Sequence, residues 1–365
     1  MRIFVSEFIC GGGMAGLPLP ESLYREGRAM LCALAADLLR ITGCQVATTL
    51  DARLEDRLKK SLPDGCDVWP VVDTENERRT FQHLSAASHA VLVIAPETDG
   101  QLAERVGQAA SIGNTVLNCS PEAIELCGDK IRLAQHFERH SLATISTAKL
   151  DWSSQATGNR LSESWVVKPI DGAGSWLTFR IRADSPGDWH EMRKAFDREG
   201  VRHKAIIQPF VSGQPLSVAC LCNVSGVVDI FPIARQRLSN QFVYLGGSLP
   251  ALLAPDEEVA IRDLVLRTCL TIPGLNGYVG FDLLLPDEDP SKPLVVEINP
   301  RLTTSYIGYR RLSRNNIAER WMDLAGLRPE NPHLGPRWSS SPIEFETLES
   351  EHSKPSLDGN LPKSH

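Results

Sequence analysis

Hydrophobic residues in the first third of the chain form short runs that alternate with helix-periodic segments. The run Ala90–Ala95 is wholly apolar and ends at Pro96, which is typical of a buried strand. Residues 21–40 repeat apolar side chains at helical spacing and predict an amphipathic helix. The other elements predicted here are strands at 2–6, 46–49 and 115–118 and a helix near 100–110. Because strand and helix alternate, we expect a small parallel α/β domain over about residues 1–120.

The pattern changes after residue 120, where Ser120-Pro121 has the residue types of a helix N-cap and first turn. Closely spaced strands then predict an antiparallel sheet, so the C-terminal half is α+β. The predicted strands are 165–169, 176–181, 205–208, 216–223, 227–232, 280–285 and 294–299, and the helices are 129–139, 189–198, 257–270 and 317–325. We expect domains at 1–120, 121–205 and 206–330. Residues 331–365, rich in Ser, Pro, His and Glu, are predicted to be a mobile tail.

Two of these strands carry acidic and amide groups where an ordinary strand would carry Val or Ile. Glu297 and Asn299 lie two apart, so they point to the same face, and Asp282 lies among apolar neighbours. A carboxylate in such a setting is costly unless a cation or hydrogen bonds compensate it. Carboxylate and amide oxygens suit Mg²⁺ held between protein and nucleotide phosphates. We therefore predict that Asp282, Glu297 and Asn299 form a metal site.

Basic residues near this site have the chemistry of phosphate ligands. Arg301, two residues after Asn299, supplies a planar donor fork for a phosphoryl group. Lys168 lies in an apolar strand, where it either pairs with an anion or extends its amino group to solvent from an edge strand. The small residues that follow, which include Gly172, Gly174 and Ser175, favour the first alternative, because glycines let backbone amides approach phosphates. Lys130 fits a second phosphate lysine and a solvated first-turn lysine about equally.

Three further segments allow more than one interpretation. An apolar hinge with Gln208, Phe210 and Val211 suits adenine, with Ser217 just beyond it, although the hinge alone better fits a plain strand–turn–strand. Arg235 and Arg237 fit an anion site and a solvated basic turn about equally. The run Thr303–Tyr306 suits either substrate contact or a helix cap.

The glycine-rich segment Gly11–Gly16 has the glycine spacing of the dinucleotide fingerprint but not the helix that should follow it. Pro18 and Pro20 fall in the first turns of the helix which that fingerprint requires. No acidic residue ends a second strand at the usual distance of about 20 residues. We favour a flexible glycine loop that faces the substrate.

Composition excludes several classes of function. The net charge of −7 argues against a sequence-independent nucleic-acid binder, which needs a basic face. No stretch of 18 apolar residues predicts a membrane span, and the N-terminus lacks a signal-peptide core. The nine cysteines form no CxxC pair and are expected to be reduced thiols. These patterns predict a cytoplasmic protein that acts on small molecules.

The order of these segments along the chain resembles that of the ATP-grasp superfamily of carboxylate–amine ligases. The segments are the lysine helix, the Val166-Val-Lys-Pro169 strand with its glycine loop, the hinge, the Gly280-Phe-Asp282 strand and the Glu297–Arg301 segment. The resemblance covers about residues 121–325. It implies a pre-ATP-grasp domain followed by a two-subdomain ATP-grasp fold, and ATP with Mg²⁺ or Mn²⁺, two ions in all. Members of the superfamily often form homodimers.

The resemblance also implies a role for each matching position. Lys130 and Lys168 would contact ATP phosphates under the Gly172–Ser175 loop, and Gln208 with the backbone near Phe210 and Val211 would hold adenine. Asp282, Glu297 and Asn299 would bind the ions, and Arg301 would stabilise the transferring phosphoryl group. We predict Arg301, Lys168 and Arg235 as the catalytic residues, Arg235 on its own pattern and not on the resemblance. Pro215 stands where many members have a ribose-binding Glu, so ribose contact must come from elsewhere.

Within the superfamily the chain is most similar to the tyramine–glutamate ligase group. The similarity rests on Glu7-Phe8 with the following glycines, on Tyr244–Gly247 and on the residues after Asn299. It implies a ligase that joins the γ-carboxylate of glutamate to tyramine, or a tyrosine-like amine, in making methanofuran-type carriers. The alternatives are another ATP-grasp ligase, of peptide or glutamyl-pterin type, and a nucleotide-binding regulator without turnover.

Overall fold

The computed structural model describes residues 1–153, 163–328 and 335–346. Its N-terminal part alternates strands and helices. The elements are β1 (Arg2–Glu7), α1 (Glu21–Leu39), β2 (Gln45–Asp51), α2 (Glu55–Leu58), β3 (Asp67–Val71), α3 (Thr74–Ala86), β4 (Ala90–Ile94), α4 (Gln101–Ser111) and β5 (Thr115–Val116).

These strands form a five-stranded sheet in the order β3-β2-β1-β4-β5, and every pairing is parallel. Helices cover both faces, which explains why β1 and β4 are almost continuously buried. The predicted parallel α/β domain is confirmed. The prediction missed β3 and α3, because Asp67–Val71 contains a proline and α3 is largely polar.

The middle of the chain begins with two helices and continues into a small sheet. The elements are α5 (Pro121–Gly128), α6 (Lys130–Arg139), β6 (Ala148–Lys149), β7 (Ser164–Pro169), β8 (Phe179–Arg182), α7 (Pro186–Arg198) and β9 (Ala205–Pro209). The four strands pair antiparallel in the order β6-β9-β7-β8. This sheet has a small core of its own, which includes Val167, Met192 and Phe196.

A larger antiparallel sheet follows. Its elements are β10 (Gly213–Asn223), β11 (Gly226–Ile230), β12 (Ala234–Leu238), β13 (Tyr244–Leu249), α8 (Pro255–Thr271), β14 (Gly277–Pro286), β15 (Leu294–Asn299), α9 (Tyr306–Leu312), α10 (Ile317–Leu324) and β16 (Ile343–Glu346). The strand order is β15-β14-β10-β12-β13-β16, and β11 pairs with the outer part of β10. The predicted mixture of a parallel N-terminal sheet with antiparallel sheets behind it is therefore confirmed.

The domain boundaries differ from the prediction. The expected break between residues 205 and 206 falls inside β9. Helices α5 and α6 pack into the core of the large sheet, where Cys127 and Phe137 are buried, and not onto the four-stranded sheet. The small subdomain is accordingly shorter than the predicted span of 121–205.

The prediction of a mobile tail from residue 331 is wrong for part of that segment. Residues Ile343–Glu346 form β16, which pairs antiparallel with β13, and Phe345 is buried against the large sheet. A strand with a buried aromatic residue is held by ladder hydrogen bonds and apolar packing, which the surrounding Ser- and Pro-rich composition concealed. The rest of the predicted tail, 331–334 and 347–365, lies outside the described residues.

The N-terminal domain is joined to the large sheet through Asp37 of α1. Its carboxylate accepts hydrogen bonds from the Tyr306 hydroxyl at 2.8 Å and from two guanidinium nitrogens of Arg310 at 2.9 and 2.8 Å. Asn316 donates to the Asp37 backbone carbonyl at 2.7 Å. Because Asp37 and Tyr306 are buried, these charge-assisted bonds fix α1 against α9 and α10.

None of the helices in the described ranges combines the length and the apolar character that a membrane-spanning helix requires.

Candidate functional site

A cavity of about 570 Å³ lies between the small sheet, the large sheet and helix α1. It collects nearly all of the residues that the sequence marked out. The predicted residues that line it are Lys130, Lys168, Gly172, Gly174, Ser175, Gln208, Phe210, Val211, Ser217, Asp282, Glu297, Asn299 and Arg301.

The three candidate metal ligands lie on two neighbouring strands. In the β14–β15 pairing Asp282 is opposite Glu297, and Gly280 is opposite Asn299. Alternation along each strand turns the side chains of Asp282, Glu297 and Asn299 into the cavity. Gly280 has no side chain, and a Cβ there would lie 2.5 Å from Thr303 Cγ2, so the Thr303 side chain packs against this position.

Asp282 is held by two amide donors. The Gln236 side chain donates to Oδ1 at 2.7 Å and the Asn299 side chain donates to Oδ2 at 2.9 Å. Removal from solvent, and then the charge of Glu297, raise the pKa of Asp282 to about 6, which the two amide donors oppose. The carboxylate is thus oriented but only partly compensated, and a cation beside it would favour its ionised form.

The donor set fits a magnesium ion. Two carboxylates and an amide are hard oxygen ligands, and the Asn299 amide nitrogen already faces Asp282, which leaves its oxygen for an ion. No group of three or more His, Cys, Asp or Glu side chains is placed for a metal among the described residues. An ion held by one or two carboxylates takes its other ligands from phosphate and water, the usual arrangement for Mg²⁺ with a nucleotide.

Lys130 is aimed at this site by the start of helix α6. The Asp129 side chain caps the helix by accepting from the backbone N–H groups of Ile131 and Arg132, which places Lys130 in the first turn. Its Nζ lies 3.2 Å from Glu297 Oε1 and donates to the Gly172 carbonyl at 3.0 Å. Burial tends to raise the pKa of Glu297, but the charges of Lys130 and Lys168 outweigh it and the pKa is lowered.

Lys168 on β7 is almost fully buried, with 9% of its surface exposed. Burial lowers its pKa to about 8, although the charge of Glu297 acts in the opposite direction. Its amino group makes no hydrogen bond or close ion pair with the described residues. A buried ammonium facing a cavity is the arrangement expected of a phosphate ligand. Lys130, Lys168, Asp282, Glu297 and Asn299 are called the metal end below.

The small-residue loop between β7 and β8 curves over the metal end. Gly174 has φ +62°, a conformation that suits glycine, and Ser175 adopts φ 62° as well. The Ser175 hydroxyl donates to the Phe242 carbonyl in the loop between β12 and β13. This turn extends through residue 178, so the predicted strand over 176–181 is shortened to Phe179–Arg182.

The opposite end of the cavity has the features of a nucleobase pocket. The Arg180 guanidinium lies 3.7 Å from the centre of the Phe210 ring, and Gln208 donates to the Thr147 hydroxyl at 2.8 Å. The Ser217 hydroxyl is buried and has no hydrogen-bond partner in the described part of the chain. Pro215 also lines the cavity. In the β10–β14 pairing Ser217 is opposite Asp282, so this polar group without a partner lies beside the metal end rather than in the nucleobase pocket.

Arg301 connects the cavity to the N-terminal domain. Its Nε lies 2.9 Å from Glu97 Oε1, and its Nη2 donates to Glu97 Oε2 at 3.0 Å. Burial works to lower the pKa of Arg301, but the charge of Glu97 prevails and raises it. The guanidinium stays charged and is held in place by a residue just after β4.

The structure does not bring the predicted catalytic residue Arg235 to the other site residues. Arg235 and Arg237 are exposed on β12, and Arg235 does not line the cavity. Alternation sends the intervening Gln236 inward to Asp282 instead. A strand interpretation of Ala234–Leu238, with Ala234 and Leu238 on the inner face, would have found Gln236 from the sequence.

The glycine cluster does not line the cavity either. Gly12, with φ +94°, packs against Val71, and a Cβ on Gly13 would lie 2.4 Å from the Phe8 ring. No helix begins within the cluster, since α1 starts only at Glu21 after Pro20. The cluster forms a packed turn next to β3.

Residues that the sequence did not single out, or only touched on, complete the cavity where it meets α1. Glu26, Gln236, Tyr244 and the run Thr303–Ser305 all line it there. The Tyr278 and Thr303 hydroxyls lie 3.2 Å apart. Glu26, Tyr244 and Thr303 are called the junction end below. Glu26 has no sequence signal, because it is one of several charged residues on an amphipathic helix.

Comparison with protein families agrees with this architecture. Residues 127–305 match the ATP-grasp domain model, and residues 44–124 match the pre ATP-grasp 3 domain model. The first match contains all of the residues that line the cavity except Glu26 on α1.

Two curated relatives are both named tyramine–L-glutamate ligase. The protein from Methanocaldococcus fervens is 27% identical over 223 residues, which is 60% of this chain and 60% of the relative. The protein from Methanocaldococcus jannaschii is 25% identical over 238 residues, 65% of this chain and 63% of the relative. The chain thus spans less than two thirds of the length of the relatives it matches.

Solved structures show the same fold at low sequence identity. An ATP-grasp superfamily protein from Archaeoglobus fulgidus has a TM-score of 0.65 at 22% identity, covering 89% of this chain and 88% of the other. Biotin carboxylase from Campylobacter jejuni has a TM-score of 0.71 at 13% identity, covering 92% and 73%. L-amino acid ligase from Bacillus licheniformis has a TM-score of 0.64 at 16% identity, covering 88% and 74%.

Proposed function

Because the chain belongs to the ATP-grasp superfamily, we propose that it is an ADP-forming ligase that joins a substrate carboxylate to an amine. The observation that carries this proposal is the metal end, where two carboxylates and an amide face two buried lysines in one cavity. These groups have the chemistry needed to hold the polyphosphate of ATP with a divalent cation.

Each group of residues in the cavity has its own role in binding ATP. Lys130 and Lys168 bind phosphate oxygens, and Gly172–Ser175 cover them with backbone amides. Asp282, Glu297 and Asn299 would hold Mg²⁺ or Mn²⁺, which would neutralise phosphate charge. The nucleobase pocket, with Gln208, Phe210 and Val211, takes the base, and Ser217, opposite Asp282, is a further contact for the nucleotide. The Pro215 side chain cannot bind ribose hydroxyls, so other groups must bind them.

The reaction proceeds through an acylphosphate. A carboxylate oxygen of the substrate attacks the γ-phosphorus of ATP, and the bond to the bridging oxygen breaks to release ADP. Arg301, held by Glu97, stabilises the charge that builds on the transferring phosphoryl oxygens. The amine then attacks the acyl carbon, loses a proton, and inorganic phosphate leaves as the amide forms. No covalent nucleophile from the protein is required.

We further propose that the carboxylate donor is glutamate and the acceptor is tyramine or a related amine. This narrower proposal rests on the two relatives, whose names state those substrates. It places the chain in the assembly of methanofuran-type carriers. Small molecules are then its partners in the reaction. A homodimer is part of the same proposal.

The test is an ADP-release assay with ATP, Mg²⁺ and glutamate against a panel of amines, with mass detection of the amide. The panel includes tyramine, tyrosine, amino acids and a glutamyl acceptor, so that other ATP-grasp ligase activities are also visible. We expect the greatest release with tyramine. Release only with another pair would refute the narrow proposal, and ADP release that never depends on a carboxylate and an amine would refute the broad one.

A further inference from the structure

Helix α1 places one carboxylate at the junction end. Glu26 lines the main cavity and also a second cavity of about 30 Å³ beside it, whose wall includes Arg301 and Gly174. A Cβ on Gly174 would lie 3.9 Å from Glu26 Oε1. The carboxylate therefore stands beside the loop that covers the metal end.

Glu26 makes no hydrogen bond or ion pair with any of the described residues. The charge of Arg301 acts on the Glu26 carboxylate, but Glu97 already contacts that guanidinium through Nε and Nη2 at 2.9 and 3.0 Å. A carboxylate next to a polyphosphate cradle is repelled by the phosphates unless a cation stands between them. Glu26 thus faces a place suited to a positively charged group.

Tyr244 gives an independent indication of a ligand at the same place. Its hydroxyl is buried, lines the cavity and has no hydrogen-bond partner in the described ranges. Burial, and then the charges of Asp282, Tyr278 and Glu26, raise the pKa of Tyr244, so the hydroxyl is neutral. A buried hydroxyl without a partner is costly, because it has lost its water without replacement.

We propose that Glu26 and Tyr244 bind the primary ammonium group of an amino substrate. An ammonium group has three N–H donors, which the Glu26 carboxylate and the Tyr244 hydroxyl oxygen can accept, and its charge separates Glu26 from the phosphates. The ammonium group has two possible sources. One is the α-ammonium group of an amino acid whose side-chain carboxylate is activated, and the other is the acceptor amine. This inference rests on the proposed function for the identity of the substrates and for the phosphates beside Glu26.

The structural alternative is that Glu26 is an ordinary surface residue of an amphipathic helix. Glu21 on the same helix fits that description, since it is exposed and pairs with Arg25 and Arg57. Glu26 differs because it is partly buried, faces a cavity and lacks such a partner. Glu21→Gln is therefore the matched control for Glu26→Gln, with the same change of charge on the same helix.

The test measures binding by calorimetry in the presence of ADP and Mg²⁺. The probes are glutamate with its deamino counterpart glutarate, and tyramine with its deamino counterpart 4-ethylphenol. We expect Glu26→Gln to weaken the binding of one of the two ammonium-bearing probes by about tenfold or more, because a desolvated charge pair is lost. The matching deamino probe should bind wild type and variant alike, and Glu21→Gln should change nothing. Tyr244→Phe should weaken the binding of the same probe.

The pair that responds identifies the source of the ammonium group. Wild-type protein that binds neither ammonium probe more tightly than its deamino counterpart would overturn the inference, and so would equal weakening of both members of a pair. A loss of Mg²⁺ affinity in Glu26→Gln without a loss of ammonium binding would assign the carboxylate to the metal and would also overturn it. Since these readouts need no turnover, they stand apart from the ADP-release test of the proposed function.

Discussion

The metal end and the junction end of the cavity are built in different ways. At the metal end, Asp282, Glu297 and Asn299 come from two paired strands, and Lys168 lies on a third strand that faces them. At the junction end, Glu26 comes from α1, Tyr244 from β13 and Thr303 from the segment after β15. The metal end needs the small sheet, the large sheet and the start of α6, whereas the junction end also needs α1, which docks on the large sheet through Asp37.

The two ends also differ in charge. At the metal end each carboxylate has nearby partners, such as Lys130 for Glu297 and two amides for Asp282. At the junction end Glu26 has no such partner among the described residues. The difference suggests that the metal end supplies chemistry common to many substrates and that the junction end selects among them. The predictions below test this division of labour.

The largest effect is expected at the metal end. Glu297→Gln should lower kcat by on the order of 100-fold to 1000-fold, because it removes the charge that holds the cation against the phosphates. Steady-state ADP release measures this, with circular dichroism to check the fold. Glu288→Gln, in the exposed turn between β14 and β15, is the control and should behave as wild type. Normal turnover in Glu297→Gln would contradict the metal assignment.

Replacing Lys168 should separate activity from stability. Lys168→Met should reduce kcat/KM for ATP by about 30-fold or more, since a charge-assisted phosphate contact is lost. The melting temperature should stay the same or rise, because burial of a charged amino group opposes folding. Lys149→Met, exposed on β6 of the same sheet, serves as the control. A Lys168 variant with normal ATP kinetics would show that this lysine has no part in the phosphate cradle.

Gln236 and Arg235 form a natural pair on neighbouring positions of β12. Gln236→Ala should weaken Mn²⁺ binding in the presence of ATP by about tenfold, because Asp282 loses one of its orienting donors. Arg235→Gln should have no effect, because Arg235 is exposed on the opposite face. Electron paramagnetic resonance of free Mn²⁺ gives the affinities without turnover. The reverse outcome would restore Arg235 as the functional residue.

A smaller effect, on stability, is expected behind the junction end. Burial raises the pKa of Glu7 to about 7, against backbone hydrogen bonds from Cys10 at 2.6 Å and Ile9 at 3.3 Å. The folded state then binds more protons than the unfolded state between about pH 4.5 and 7, so Glu7 makes stability fall as pH rises through that window.

Compared with Glu7→Gln, wild type should therefore lose about 2 kcal/mol of unfolding free energy between pH 5 and pH 7. Urea unfolding at the two pH values measures the difference. Gly27 lies against this carboxylate, so the shape-conserving Gln is the suitable replacement. Parallel pH profiles for the two proteins would show that Glu7 does not titrate in this range.

The same contrast explains what the sequence could predict. Asp282, Glu297 and Lys168 are polar residues within apolar strands, and strand alternation alone tells which way they point. Gln236 follows the same alternation, but its two flanking arginines give the segment the composition of a charged turn. Glu26 was out of reach, since whether a helix carboxylate faces solvent or a cavity depends on what docks against it.

The strand β16 illustrates a second limit. Its four residues lie in a polar and proline-rich segment whose composition predicts mobility, and a single buried Phe345 anchors it to β13. A short edge strand takes its stability from the sheet it joins rather than from its own sequence. The location of such a partner cannot be deduced from local pattern.

The central claim is that ATP activates a substrate carboxylate as an acylphosphate. The most direct test supplies glutamate with ¹⁸O in its side-chain carboxylate, together with tyramine, ATP and Mg²⁺, and analyses the released phosphate by mass spectrometry. The account predicts one ¹⁸O atom in each phosphate formed and one retained in the amide. Amide formation with unlabelled phosphate, or with AMP in place of ADP, would contradict it.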